Sequence, residues 1–186
     1  MTRSPLRVDA GTQLPTIRSF GELNQFLGGS RDDAESQSIS DGMRQLAERV
    51  ERIVAALRAT QQRTIVAPLL VDLLTVLRGH RNQVLHLGMP WRGLYEYGGY
   101  LQALTNCRVL IGQWLLDGGP RSAQLVLTAE DFELVAWRTL AEGMLLIDMY
   151  EQWAASEAEA EAESGLAELT GPQVQRAIRW WHKLRR

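Results

Sequence analysis

The sequence predicts an all-α protein, a bundle of four main helices with an N-terminal arm and a C-terminal amphipathic helix. Apolar residues recur every three or four positions through most of the chain, which is the spacing of one helix face. No segment alternates apolar and polar residues as a strand does, and capping residues and Gly-Pro breaks separate the periodic segments. These patterns divide the chain into an arm (1–40), a helical bundle (41–165) and a basic terminal helix (170–186).

Composition and charge narrow the class of protein. Hydrophobic residues make up 45% of the 186 residues and charged residues 23%, so a packed core is expected. The net charge of −2 argues against a protein that coats nucleic acid through bulk charge. Cys107 is the only cysteine, which excludes an internal disulfide and leaves no thiolate cluster for a metal. Neither a secretory signal nor a membrane span is visible, so a cytoplasmic location is expected.

One segment of the arm, SFGELNQFLGG, is apolar enough to form a helix. Ser19 and Glu22 have the spacing of a capping box, and a Gly-Gly pair follows the helix. A helix over 19–27 is too short to be stable alone, so it must dock on its own bundle or on a partner. The side chains on its apolar face are candidate partner-binding residues: Phe20, Leu23, Phe26 and Leu27.

The first two bundle helices are predicted from apolar spacing. The first begins at Asp41, and its apolar face consists of Met43, Leu46, Val50, Ile53 and Leu57. The second is expected to begin near Pro68, since proline is tolerated in a first turn, and to run as far as His86. Because leucines lie on more than one of its faces, we expect the second helix to be central.

The third and fourth helices follow chain breaks. GMP at 88–90 precedes a third helix from about 94 to 116, and DGGP at 117–120 ends it. Thr128 and Asp131 form another capping box, from which the fourth helix continues through SEAEAEAES to Gly165. At 1.5 Å per residue that helix is roughly 50 Å long, so its acidic end is expected to overhang the bundle.

Charge is strongly polarised near the end of the chain. The interval between Arg138 and Arg176 contains eight acidic residues and no lysine or arginine, whereas residues 176–186 contain five cations. The terminal helix either folds back on the acidic helix or contacts another copy or a different partner. Its candidate partner-binding residues are Trp180, Trp181, Lys183, Arg185 and Arg186.

The segment RGHRNQVLHLGMPWRGLYEYGGY, residues 78–100, has the richest side-chain chemistry in the chain. His80 is in register with the leucines of its helix, so a core or interface position is expected. Aromatic residues surround a glycine-rich corner, as they do where rings cover helix ends or contact a partner. Trp91 and Tyr95 are the candidate partner-binding residues here.

Residues 81–86, RNQVLH, resemble the R-N-x-x-x-H motif of the HEPN superfamily, all-α domains that include metal-independent ribonucleases. The resemblance covers these six residues. It implies His86 as the general acid–base or orienting group, Arg81 as the group that stabilises phosphorane charge, and Asn82 as the residue that sets the geometry. Gly88 stands where toxin-type members carry a tyrosine.

No other catalytic pattern is present: the sequence lacks a phosphate-binding loop, a dinucleotide fingerprint, a nucleophile elbow and a zinc-protease motif. We therefore predict a non-enzymatic assembly or adaptor subunit that acts through protein contacts, with another protein or its own copies, in a larger complex or particle. No cofactor, metal or membrane is expected. The alternatives are a HEPN-like ribonuclease and an accessory subunit that binds nucleic acid through the C-terminal arginines.

Overall fold

A computed structural model of the chain describes residues 14–28, 33–60, 62–116 and 127–169, with side chains as far as residue 162. These residues contain helices and no strand, which confirms the all-α prediction. The helices are α1 (Phe20–Leu27), α2 (Ala34–Ala59), α3 (Arg63–Leu85), α4 (Met89–Arg92), α5 (Tyr95–Leu116) and α6 (Ala129–Leu169). The chain divides into two compact units, Met1–Ile147 and Asp148–Arg186.

The short helix α1 and the long helix α2 begin at side-chain caps. Ser19 Oγ accepts a hydrogen bond from the Glu22 backbone N–H at 3.2 Å, at the predicted cap. Helix α2 begins at Ala34 rather than at Asp41, because Asp33 caps it by accepting from the Ser36 N–H at 2.8 Å. Serines at 36 and 40 lie on the buried face of the added turns beside a single isoleucine, Ile39, so the hydrophobic pattern there is too weak to reveal a helix.

Helix α3 also begins earlier than its sequence predicts. It starts at Arg63, and Pro68 lies inside it. The Arg63 guanidinium lies 4.7 Å from the centre of the Trp114 ring and donates to the carbonyl oxygen of Leu115 at 2.5 Å. This contact ties the start of α3 to the end of α5. Such tertiary contacts are not visible in local helix propensity.

The predicted break at 88–90 contains one helical turn, α4, with Pro90 near its start, where proline is favoured. The predicted capping box of α6 is present, because Thr128 Oγ1 accepts from the Asp131 N–H at 3.1 Å and donates to its carboxylate at 2.9 Å. Helix α6 then continues past Gly165 to Leu169.

The core of the first unit lies between α2, α3, α5 and the first part of α6, and α1 packs on α2. Its fully buried side chains include Met43, Ile53, Leu73, Leu104, Phe132 and Ile147. In the second unit, the rings of Tyr150 and Trp153 lie 5.8 Å apart, and residues 155–162 of α6 are exposed. No helix in the described residues is long and apolar enough to cross a membrane.

Candidate functional site

Two polar side chains meet inside the helical core. His80 on α3 is 2% exposed and Tyr100 on α5 is fully buried. The Tyr100 hydroxyl lies 2.7 Å from His80 Nε2, and His80 Nδ1 lies 3.4 Å from Gln83 Oε1. Because Gln83 Oε1 can only accept, Nδ1 carries the ring proton and Tyr100 donates its hydroxyl proton to Nε2. His80 is therefore a neutral core residue with both ring nitrogens hydrogen-bonded.

Two glycines provide the space for this pair. A Cβ atom at Gly42 on α2 would lie 1.9 Å from His80 Nδ1, and one at Gly143 on α6 would lie 2.7 Å from Tyr100 Cζ. The two rings contact each other edge to face, with centroids 5.7 Å apart. Four helices thus meet at the pair, two supplying the rings and two supplying the space for them.

Burial keeps the core groups neutral. Loss of hydration lowers the pKa of His80 to about 4, against an opposing effect of its hydrogen bond to Gln83. Burial also raises the pKa of the Cys107 thiol to about 12 and the pKa of Tyr100 above its ordinary value. Since a buried thiol and a buried phenol are poor nucleophiles, this cluster has the properties of a packing element.

The three residues of the HEPN-like motif lie at the C-terminal end of α3. The Arg81 Nε atom donates to Thr105 Oγ1 on α5 at 3.1 Å. His86 is exposed, and its Nδ1 lies 2.7 Å from the carbonyl oxygen of Asn82, whose side chain is exposed. A carbonyl can only accept, so Nδ1 is protonated and Nε2 is the basic nitrogen. Within the described part of the chain, no hydrogen bond joins the side chains of Arg81 and His86.

The corner between α3 and α5 carries an exposed apolar pair, Met89 (75% exposed) and Tyr95 (88% exposed), which we call the corner surface. Trp91, a predicted partner residue, is instead fully buried and belongs to the core. Met89 was not predicted from the sequence. The only signal for it is its place directly before Pro90, in a chain break where a side chain has few neighbours to cover it.

The backbone of this corner is held by two side chains. Glu35 Oε1, at the start of α2, accepts from the Gly88 N–H at 2.9 Å. Arg92 Nη2 donates to the carbonyl oxygen of Leu85 at 2.5 Å, at the end of α3 where backbone carbonyls lack helical partners. The corner surface therefore stands on a fixed backbone.

The remaining predicted partner residues belong to α1 and to the terminal helix. Leu23 and Leu27 are fully buried in the core, so helix α1 docks on its own bundle and these two side chains are not free for a partner. Phe20 and Phe26 are half-buried. The predicted residues of the terminal helix lie outside the described residues: Trp180, Trp181, Lys183, Arg185 and Arg186.

A groove of about 250 Å³ lies between α2 and the first part of α6. Three of its four charged side chains have partners within the fold: Arg58 pairs with Glu133 at 2.6 Å, and Glu51 accepts from the Phe20 N–H at 2.7 Å. Trp137 lines the groove, and its buried Nε1 has no hydrogen-bond partner in the described part of the chain. Within the described ranges, no group of three or more His, Cys, Asp or Glu residues is placed to hold a metal.

No family model, no curated protein and no solved structure matches the chain. The likeness of residues 81–86 to the HEPN motif is therefore not extended by a wider match.

Proposed function

We propose that this protein is a non-enzymatic helical subunit that binds other protein chains through the corner surface. The observation that supports this proposal is the exposure of Met89 and Tyr95, at 75% and 88%. The backbone beneath them is held by the bond that the Gly88 N–H donates to Glu35 and by the bond that Arg92 donates to the Leu85 carbonyl. Tyrosine and methionine are enriched at protein interfaces, and tyrosine is among the residues that contribute most to binding free energy.

The backbone of the corner surface is held in place before a partner binds. A partner that covers a side chain on a mobile loop must also order the loop, and that entropy loss reduces affinity. At this corner two hydrogen bonds already hold the backbone, so a larger share of the free energy from burying Met89 and Tyr95 contributes to binding. The neutral, enclosed His80–Tyr100 pair offers no comparable chemistry for catalysis.

The experiment measures the native mass of the complex that contains the protein in an extract of its own host. Wild type is expected well above the 20.9 kDa of one chain. The double variant Met89→Ser/Tyr95→Ser removes the apolar corner surface and should release the protein from the complex. Leu116→Ser/Leu134→Ser is the matched control, because these leucines are 84% and 70% exposed elsewhere, and it should leave the mass unchanged.

Two results would contradict the proposal. Wild type that migrates as a single chain in the extract has no stable partner there. Equal loss of the complex in both double variants would show that general surface hydrophobicity, rather than the corner, holds the complex together.

RNA cleavage is the second candidate function, favoured by one observation. The bond from His86 Nδ1 to the Asn82 carbonyl leaves the exposed Nε2 as the basic nitrogen, which is the arrangement a general base requires. Arg81, five residues earlier on the same helix end, carries the positive charge that such a reaction uses to stabilise the phosphorane. Its test is the loss of RNA cleavage in the His86→Ala variant at unchanged stability.

A further inference from the structure

Helices α3 and α5 pack against each other, and three arginines lie along them on the side where they meet. The bonds from Arg63 to the Leu115 carbonyl and from Arg81 to Thr105 show that the two helices run antiparallel. Moving one turn back along α3 from Arg81 leads to Arg78, and moving one turn forward along α5 from Thr105 leads to Arg108. Helical periodicity therefore places Arg78 and Arg108 at the same level of the two helices, one turn from the Arg81–Thr105 bond.

We call Arg78, Arg81 and Arg108 the basic cluster. Neither Arg78 nor Arg108 has a hydrogen-bond or ion-pair partner in the described part of the chain, and both are exposed. Between residues 73 and 116 the only acidic residue is Glu96, which is buried. Positive charge on this face is thus uncompensated locally, and an acidic surface would neutralise it.

The surface around the basic cluster allows a helix to approach closely. Val71 on α3 and Val109 on α5 are about half exposed on the same outer side. Gly98 and Gly112 lie two turns on either side of Thr105, and a Cβ atom at either glycine would meet no atom within 4 Å. This part of α5 therefore presents a shallow surface with apolar edges, beside which the arginines stand.

The chain also contains the complementary element. Near its end α6 has exposed glutamates without a partner in the described residues, at 157, 159 and 161, separated by alanines. Glu157 and Glu161 lie one turn apart on the same side of the helix, and Ala158 and Ala162 lie on the adjacent side. Because alanine is short, the alanine side can lie close to a shallow surface while the two carboxylates reach the arginines next to it.

We propose that the basic cluster binds the acidic end of α6 of a second copy of this chain. This inference goes beyond the proposed function, because it assigns a partner to a surface other than the corner surface. Every copy carries both surfaces, so the contact is head to tail, and repetition of it builds a ring or a filament. A polyanion such as RNA is the less favoured partner, since the net charge of the chain is −2.

The first test measures self-association of the purified full-length protein by light scattering over a wide concentration range. Wild type is expected to associate more weakly as salt is raised, because salt screens exposed ion pairs. Arg78→Glu/Arg108→Glu should weaken association by at least about tenfold, the change expected when two exposed attractions become repulsions. Arg52→Glu/Arg138→Glu changes net charge equally at exposed sites elsewhere and should leave association unchanged.

A charge swap makes the test specific. Glu157→Lys/Glu161→Lys should by itself weaken association as the cluster variant does. A mixture of the two variants should associate again in alternating order, because the two reversed surfaces attract each other and the two unchanged surfaces do so as well. Association that survives both reversals, or a mixture that stays monomeric, would overturn the inference.

Two further outcomes would refute the contact between copies. Wild-type protein that is monomeric at all concentrations refutes the contact between copies, although the proposed function still stands if the corner variant leaves the host complex. A single-stranded RNA oligonucleotide that binds wild type but not Arg78→Glu/Arg108→Glu, in the absence of self-association, would assign the cluster to nucleic acid instead.

Discussion

The two histidines of α3 stand six residues apart and have opposite surroundings. His80 is enclosed by four helices, neutral, and hydrogen-bonded at both ring nitrogens. His86 is the C-cap residue of the same helix, exposed, with Nδ1 bonded only to local backbone. Both follow an arginine-containing segment, so local composition does not distinguish them. Helix register, rather than the neighbouring residue types, decides which histidine belongs to the core and which can carry surface chemistry.

The largest expected effect comes from filling the space that His80 occupies. Gly42→Ala would place a Cβ atom 1.9 Å from His80 Nδ1, and the ring cannot move away without breaking its bond to Tyr100. We expect several kcal/mol of destabilisation, at or above the roughly 1–3 kcal/mol typical of overpacked cores. Chemical denaturation of the purified protein measures it.

Gly79→Ala is the matched control for that substitution. Gly79 lies inside α3 next to His80, but a Cβ atom there would meet nothing within 4 Å. Replacement by alanine should stabilise the protein by about 0.5–1 kcal/mol, since glycine is a poor helix former. A mild effect of Gly42→Ala, similar to that of Gly79→Ala, would mean that α2 and α3 are not packed closely around His80.

The next effect, about 2–3 kcal/mol, is a dependence of stability on pH. His80 has a folded-state pKa of about 4, below its unfolded value of 6.5. Between these values the unfolded chain takes up a proton that the folded protein excludes, so the free energy of unfolding decreases as pH falls from about 6.5 to 4. Above pH 7 this contribution is fully present.

Comparison with variants isolates the histidine from the carboxylates that titrate in the same range. His80→Gln removes the titrating group, so its stability should fall less steeply over this interval than that of wild type, whatever its stability at pH 7. His86→Gln changes an exposed ring and should keep the wild-type slope. Identical slopes for wild type and His80→Gln would show that His80 is not buried as the structure places it.

Several elements of this region follow from sequence alone, for physical reasons. The leucine register of α3 places His80 on the buried face, and the capping pair of Thr128 and Asp131 locates the start of α6. Both features depend on short-range geometry. The start of α2 at Ala34 cannot be predicted in this way, because serines occupy buried positions of its first turns. A polar residue on a buried face does not contribute to hydrophobic periodicity.

The candidate site was less predictable than the fold. Gly42 and Gly143 are helical glycines that leave space for the rings of His80 and Tyr100 on other helices. The sequence around each glycine does not show which ring packs against it. Trp91 and Tyr95 are both aromatic residues of the same glycine-rich corner, yet Trp91 is fully buried and Tyr95 is 88% exposed. Their difference arises from the turn of α4 between two longer helices, which directs one ring into the core and leaves the other on the surface.

The smallest effect on stability is expected at His86, the exposed histidine. His86→Ala removes an exposed ring whose Nδ1 bonds to the Asn82 carbonyl. Water can replace that bond, so the free energy of unfolding should change by no more than about 0.5 kcal/mol.

The same variant tests the second candidate function, RNA cleavage. If His86 is a general base, wild type cleaves RNA without added metal and His86→Ala loses that cleavage at unchanged stability, because imidazole is needed for proton transfer and not for folding. Arg81→Lys then separates charge from shape, since lysine keeps the positive charge but lacks the planar set of donors. Wild type that cleaves none of a varied set of RNAs would leave His86 as a helix cap. Cleavage that persists in His86→Ala would place the activity elsewhere in the chain or in a contaminant.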